Sequence, residues 1–267
     1  MFFIGNQSAY SAKDTMTPFQ YAIDNKFRSF EWFPDKKDDG SGWVSDDLDF
    51  IQRSNILNLS KRNFIRNTVH APWWASVFTQ EGRAIILKEL DFSKDIGAEI
   101  LNLHLYTEET IEHFVNCIKP IAIRASEYDI KLSIENTTVT SPEDFNKFFY
   151  LWNQSEESKI CKIGMCLDIG HANLFPETRN DYISYFNRLN DNVEINHLHF
   201  HENYGDKDSH LTLFTGPSQH NSSAIKHIVS SLLDKKYKGS IVLEQWPNET
   251  NLLNQAKDKL EEIIKEL

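Results

Sequence analysis

The chain has 267 residues, 40% of them apolar and 12% aromatic, with a formal net charge of −11. This composition excludes a disordered chain and leaves room for one large domain with a sizeable core. The acidic balance, with basic residues only in short pairs such as Lys36-Lys37, Lys61-Arg62 and Lys235-Lys236, disfavours a nucleic-acid partner, although a cleft that holds metal ions can be locally positive.

Short β-prone apolar runs alternate with longer segments of helical periodicity. In chain order, a strand at 2–5 precedes a helix near 17–26, and a strand at 29–33 precedes a helix near 46–59. Strands at 67–70 and 100–105 precede helices near 82–96 and 108–128. Strands at 131–135 and 162–168 precede helices near 142–156 and 179–189, and strands at 194–200 and 240–245 precede helices near 221–236 and 249–267. Gly97 fits the C-cap of the third helix. Ser141 followed by Pro142, Glu143 and Asp144 reads as the start of the fifth. In the last helix, Leu253, Ala256, Leu260, Ile263, Ile264 and Leu267 fall on one stripe.

Eight βα units in strict alternation predict a parallel sheet, and eight strands close into a (β/α)8 TIM barrel spanning 1–267 as one domain. An open, doubly wound sheet is the rival, but no glycine-rich phosphate loop follows the first strand. The sparse cysteines Cys117, Cys161 and Cys166 do not form a disulfide framework or a zinc hook, and read as buried thiols. No stretch approaches 18 uninterrupted apolar residues, and the start, MFFIGNQSAYSAKD, lacks the basic and apolar regions of a signal peptide. A cytoplasmic protein with no membrane partner is expected, with homo-oligomerisation left open.

The predicted strands end repeatedly in residues that bind metals or move protons. These are Glu31, His70, His104, Glu135, Asp168, His199 and Glu244. All eight strands of such a barrel end at one face, so these side chains should converge there. Converging carboxylates repel unless cations lie among them, and a mixed nitrogen and oxygen donor set suits Zn2+ or Mn2+. Asp168-Ile-Gly-His171 adds a donor just past the sixth strand, and Asp208-Ser-His210 adds two in the loop after the seventh. His197 shares a face with His199 and should lie one layer deeper. Asn102 and Asn136 are expected beside the ligands or the substrate. His113, His220 and His227 fall on or near predicted helices and receive no role.

The segments VHAPW, LNLHLY, LSIENT, GMCLDIGHANL, HLHFHEN, DKDSH and LEQW run in order from about residue 67 to 246. Through them the chain resembles the xylose isomerase-like barrel superfamily, which contains sugar (phosphate) isomerases and epimerases together with endonuclease IV. The resemblance implies a one-ion core at Glu135, Asp168, His199 and Glu244, with Glu135 and Glu244 also serving as the acid/base pair. The endonuclease branch adds His70, His104, His171, Asp208 and His210 and holds three zinc ions. One to three divalent ions are therefore expected.

Two departures stand out. The family's HLHDN is His199-Phe-His201-Glu202-Asn203 here, and IGNQSAYS does not match the opening motif of endonuclease IV. The leading expectation is a sugar or sugar-phosphate isomerase or epimerase working through a metal-stabilised enediolate. Its small substrate would be walled by Glu31, Trp32, Trp73 and Trp246 and touched by His201. His171 and His210 would hold hydroxyls or a second ion. The alternatives are a zinc phosphodiesterase acting on abasic DNA, a dehydratase or lyase, and a non-catalytic binding barrel.

Overall fold

The computed structural model describes residues 2–9, 11–37 and 39–267. Its strands are β1 (Phe3–Gln7), β2 (Ser29–Trp32), β3 (Arg66–His70), β4 (Ala98–His104), β5 (Lys131–Glu135), β6 (Ile163–Asp168), β7 (Ile195–Phe200) and β8 (Ser240–Leu243). Each pairs in parallel with the next, and β8 pairs with β1 to close the barrel. The expected (β/α)8 barrel is therefore the fold, and the open-sheet rival is set aside.

The helices are α1 (Thr17–Asp24), α2 (Phe50–Asn63), α3 (Gln80–Ile96), α4 (Ile111–Glu127), α5 (Pro142–Asn153), α6 (Ile169–Leu174), α7 (Tyr182–Asn187), α8 (Ser223–Asp234) and α9 (Asn251–Glu266). Their starts follow local chemistry. Ser141 accepts from the Asp144 amide at 3.1 Å while the Asp144 carboxylate accepts from the Ser141 amide at 2.8 Å, a reciprocal cap that Pro142 extends. Gly97 ends α3 at φ +66°, a conformation that a Cβ would strain.

Two details depart from the sequence reading. A short α6 follows β6 directly, and the helix expected at 179–189 shrinks to α7. Leu267, placed on the last helix's apolar stripe, is 54% exposed, because α9 ends at Glu266 and the stripe ends with it.

Strand alternation sorts the core into two zones. Phe30, Trp32, Leu101, Leu103, Leu132, Ile134, Leu198, Phe200 and Leu243 are buried with the helix residues Phe19, Phe92, Phe114, Phe148 and Trp152 in one apolar cluster around the barrel. The barrel interior is polar instead. Ser29 and Ser240 bond at 2.8 Å, Thr68 donates to Glu31 at 2.9 Å, and Glu31 on β2 reaches across to His197 on β7 at 2.8 Å. Cys161 and Cys166 are buried and Cys117 is half-buried, all three unbridged. Among the described residues no helix is long and apolar enough to cross a membrane.

Among the buried acids outside the barrel strands is Glu89, on the third helix. Glu89 on α3 is 2% exposed and accepts from Ser45 at 2.8 Å, while its Oε2 has no partner. Burial pushes its carboxyl up to about 7, against the lowering effect of Ser45. Between the ordinary value of 4.5 and about 7, the folded chain keeps a proton that the unfolded chain releases, so stability falls as pH rises through that window. Glu89→Gln removes this loss. Chemical denaturation across pH 4.5–8 should show the variant gaining on the wild type as pH rises, by up to about 3 kcal/mol. A constant difference would contradict this assignment.

Candidate metal centre

β3, β4, β5 and β6 end on His70, His104, Glu135 and Asp168, while His199 lies one residue before the end of β7 and Glu244 one residue after β8. Parallel pairing brings them together at one mouth, with His104 beside Glu135 and Asp168 beside His199 in the register. His171 follows on α6. Asp208 and His210 come from the loop after β7, which folds back over the mouth. That loop is held by reciprocal backbone bonds between Glu202 and Leu211 and by the Glu202 carboxylate, which accepts from the amides of Gly216 at 3.0 Å and Ser218 at 2.8 Å. His210 sits at φ +43°, a strained value for a side chain of its size that this anchoring sustains.

All nine residues expected to ligate metal lie in three groups, two of which share Glu135, and His201 joins the third. His70 and His104 approach Glu135 at 3.0 and 3.6 Å. His199 Nδ1 lies 3.3 Å from Glu135, 3.7 Å from Asp168 and 3.5 Å from Glu244. His171 and His210 Nε2 approach Asp208 at 3.3 and 3.0 Å. In each group the donor atoms lie within 4.8 Å of one another, close enough for one ion to reach them all.

The orientation of the rings tests whether these groups fit a metal. His70 Nδ1 contacts the Ala71 carbonyl at 2.6 Å, His171 Nδ1 that of Asn136 at 2.8 Å, and His210 Nδ1 that of Glu244 at 3.0 Å. A carbonyl only accepts, so each Nδ1 carries the hydrogen and the neutral ring turns its Nε2 lone pair into the site. His199 is set the other way round. Its Nε2 lies 2.7 Å from the Glu31 carboxylate, which leaves Nδ1 facing Glu135, Asp168 and Glu244. Rings anchored on one nitrogen by a carbonyl or carboxylate are the arrangement of metal-ligating histidines. Asn136 grips the Asp168 backbone at both ends, at 2.8 and 2.9 Å, and Asn102 donates to Glu135.

Electrostatics point the same way. Burial pushes Glu135 and Asp168 up, but the surrounding histidines outweigh it and hold both carboxyls well below their ordinary range. Burial raises Glu244 too, and there the histidines do not overcome it. His199 and His171 are driven well above the usual imidazole value, burial notwithstanding, and His210 rises to about 9 beside Glu244 and Asp208. In the metal-free protein, protons on these rings supply positive charge that divalent ions would supply in their place.

The mouth opens into a cavity of about 600 Å³ lined by His70, His104, His171, Asp208, His210 and Glu244, with Phe33, Trp73 and Trp246 as apolar walls. Three expectations need correction. Trp32 does not face this cavity. Glu31 points inward, so alternation turns Trp32 outward, where it is fully buried against Phe19, Trp43 and Phe92 and donates to Asn67 at 3.1 Å. Glu31 is no wall either. It lies beneath the site between His197 and His199. His201, expected to touch substrate, is 1% exposed and bonds Asp168 at 3.1 Å while stacking on His210 at 4.0 Å. His197 sits one layer deeper, as the strand period implies.

Sequence reasoning did not find Gln7, Asp35, Lys37 and Gln245, which also line the cavity. They lie at strand ends or in loops, and although Gln245 stands in LEQW and Gln7 in IGNQSAYS, neither segment singles out the amide. The carbonyls that anchor the histidines leave no trace in side-chain identity.

A family model described as xylose isomerase-like TIM barrel matches residues 19–266. The chain belongs to the xylose isomerase-like TIM barrel family. Among solved structures of similar fold is a D-tagatose 3-epimerase-like protein, with TM-score 0.74, 19% identity, and 99% of this chain and 97% of that one covered. A D-psicose 3-epimerase crystallised with D-fructose gives TM-score 0.66 at 14% identity, covering 99% and 96%. A protein from Thermus thermophilus, soaked with ZnCl2, gives 0.64 at 16%, covering 100% and 99%. At these identities the likeness concerns the fold alone. No curated protein matches the chain.

One backbone position tests the site within this family fold. Gly170 lies against His201, and a Cβ there would come within 1.9 Å of the ring. Gly170→Ala should displace His201 from Asp168 and lower metal affinity about 10- to 100-fold, as measured by chelator competition, while circular dichroism stays that of the barrel. Unchanged affinity would contradict a supporting part for His201.

Proposed function

We propose that this protein is a divalent-metal-dependent isomerase or epimerase acting on a small sugar-like substrate. The observation that carries the reading is the buried group Glu135, Asp168, His199 and Glu244, which meets the lined cavity through Glu244. These four residues would hold one Zn2+ or Mn2+. When bound, the ion supplies Lewis-acid polarisation of a substrate carbonyl and so acidifies the neighbouring C–H.

The chain's own groups do the rest. Glu244 is raised by burial and faces the cavity, so it is suited to take a proton from carbon and return it. Its carboxylate Oε2 lies 3.5 Å from His199 and 3.7 Å from His210, rings that can steady its charge as the proton moves. Glu135 is buried in contact with His70 and Asn102; it would hold the ion and serve as the second member of the acid/base pair in epimerisation. Asp168, clamped by Asn136 and His201, keeps its position as the charge in the site changes. Trp73 and Trp246 offer apolar faces to a sugar ring and narrow the access of water.

A second reading rests on the other two groups. His70 and His104 with Glu135, and His171 and His210 with Asp208, are complete enough to hold two further ions. Three close ions suit hydrolysis of a phosphodiester. Elimination of a hydroxyl from the same kind of substrate is a third use of the proton-transfer pair.

The readings separate by experiment. Metal-loaded protein incubated with ketoses in D2O should place deuterium on the carbon next to the carbonyl, with EDTA suppressing it. Metal-dependent nicking of a duplex at a single abasic site would instead establish the phosphodiesterase. Glu135→Gln should lower either activity by at least about 100-fold while the fold persists. Wild-type turnover in that variant would sink both readings.

A further inference from the structure

The metal ligands lie where the strands end, so the residues that begin the strands mark the opposite end of the barrel. A second cavity, of about 280 Å³, opens there beside the starts of β3, β5 and β8. Arg66, Lys131, Lys235, Lys236 and Lys238 line it. Five of its fourteen lining residues are thus cationic, in a chain with only 28 lysines and arginines among 267 residues, and Glu99 and Glu194 alone oppose them there. The cavity is a socket and not a flat patch, because it reaches Thr68 and Ser240, which are 1% and 2% exposed.

The cations are held in place without being neutralised. The Arg66 guanidinium lies 3.5 Å over the Phe3 ring and donates to the Lys238 carbonyl at 3.0 Å, with the Glu99 carboxylate 3.7 Å from its Nε. Lys235, Lys236 and Lys238 come from one turn, pinned by Tyr237, whose hydroxyl donates to the Ser240 carbonyl at 2.6 Å. Lys236 holds φ +56° in that turn, a conformation that glycine or asparagine usually supplies. Lys235 lies 3.6 Å from Asp191, an exposed carboxylate that water screens. Among the described residues none forms an ion pair with Lys131, Lys236 or Lys238. The dipole of α8 accounts for Lys235 and Lys236 at its end, but Lys131 opens a strand and Lys238 precedes one.

Like charges gathered in a concave site repel one another, and a bound anion relieves that repulsion. Phosphate suits this donor set, a fixed guanidinium with lysines as point charges around it. The small socket fits a compact ligand, whereas a nucleic-acid strand needs a basic groove along which its backbone can run. We propose that the base of the barrel is a second ligand site, for a small anion carrying several phosphate groups. The site is separate from the metal centre and does not depend on the catalytic reading.

Calorimetry on metal-loaded protein tests it with trimetaphosphate, a cyclic trianion that chelates metals weakly. Binding should weaken severalfold as NaCl is raised. Lys131→Glu and Lys238→Glu should each lower the affinity at least about 5-fold, while Lys131→Arg keeps it. Both lysines are exposed, so these variants should fold. Lys147→Glu, the same charge change on α5 outside the cavity, should leave affinity within about 2-fold. An anion held at the metal centre would be indifferent to Lys131 and Lys238. No binding at low salt, wild-type affinity in either glutamate variant, or an equal loss in Lys147→Glu would overturn the inference. So would a single-stranded oligonucleotide that binds more tightly than trimetaphosphate through the same lysines, since the ligand would then be a nucleic acid.

Discussion

Four carboxylates, Glu31, Glu135, Asp168 and Glu244, are buried at one mouth of the barrel, none more than 4% exposed. Removing each charge from water costs several kcal/mol, and like charges at this spacing add repulsion. Nothing in an apolar barrel could tolerate that arrangement. The fold supplies the counterweight from the same strand ends, in the form of His70, His104 and His199, and from the adjoining segments, in the form of His171, His201 and His210. The polar interior, the inward loop after β7 and the raised imidazoles all follow from the need to compensate this buried negative charge.

Compensation by itself would not require particular ring orientations. Here three imidazoles are tied through Nδ1 to main-chain carbonyls, and His199 is tied through Nε2 to Glu31. Each tie uses one nitrogen and presents the other to the carboxylates. The main chain thus fixes the tautomers that a metal needs, and it does so through backbone groups adjacent to the ligands themselves. Glu31 belongs to this arrangement and not to the substrate wall. It is a carboxylate behind a ligand, and its burial is offset by His197 and His199.

Much of this was legible in the sequence because strand ends are positions of fixed meaning. A run of alternating apolar residues that stops on His70, His104, Glu135 or Asp168 specifies both the strand and the face on which its last side chain falls. The same alternation, applied strictly to Glu31 and Trp32, would have separated them, since adjacent residues of a strand cannot both face the barrel axis. α6 escaped because it spans only Ile169–Leu174, too short to show a helical period, and its start is set by Asp168 accepting from the His171 amide at 2.7 Å. The places of Gln7 and Lys37 depend on how loops and strand ends pack over the mouth, and Gln245, though inside LEQW, stands out there less than the ionisable Glu244 beside it. Glu202 stands where HLHDN carries an aspartate and is one methylene longer. Its work in tying down the loop that carries Asp208 and His210 emerges only from the three-dimensional contacts.

The central claim is that this buried cluster is built to hold divalent cations. The direct measurement is the thermal unfolding midpoint of chelator-stripped protein as Zn2+ or Mn2+ is added. Ions that bind the folded cluster and not the unfolded chain should raise Tm progressively, by roughly 5–10 °C at about one hundred times the dissociation constant. A midpoint that stays put with both ions, at concentrations that saturate ordinary protein metal sites, would contradict the account.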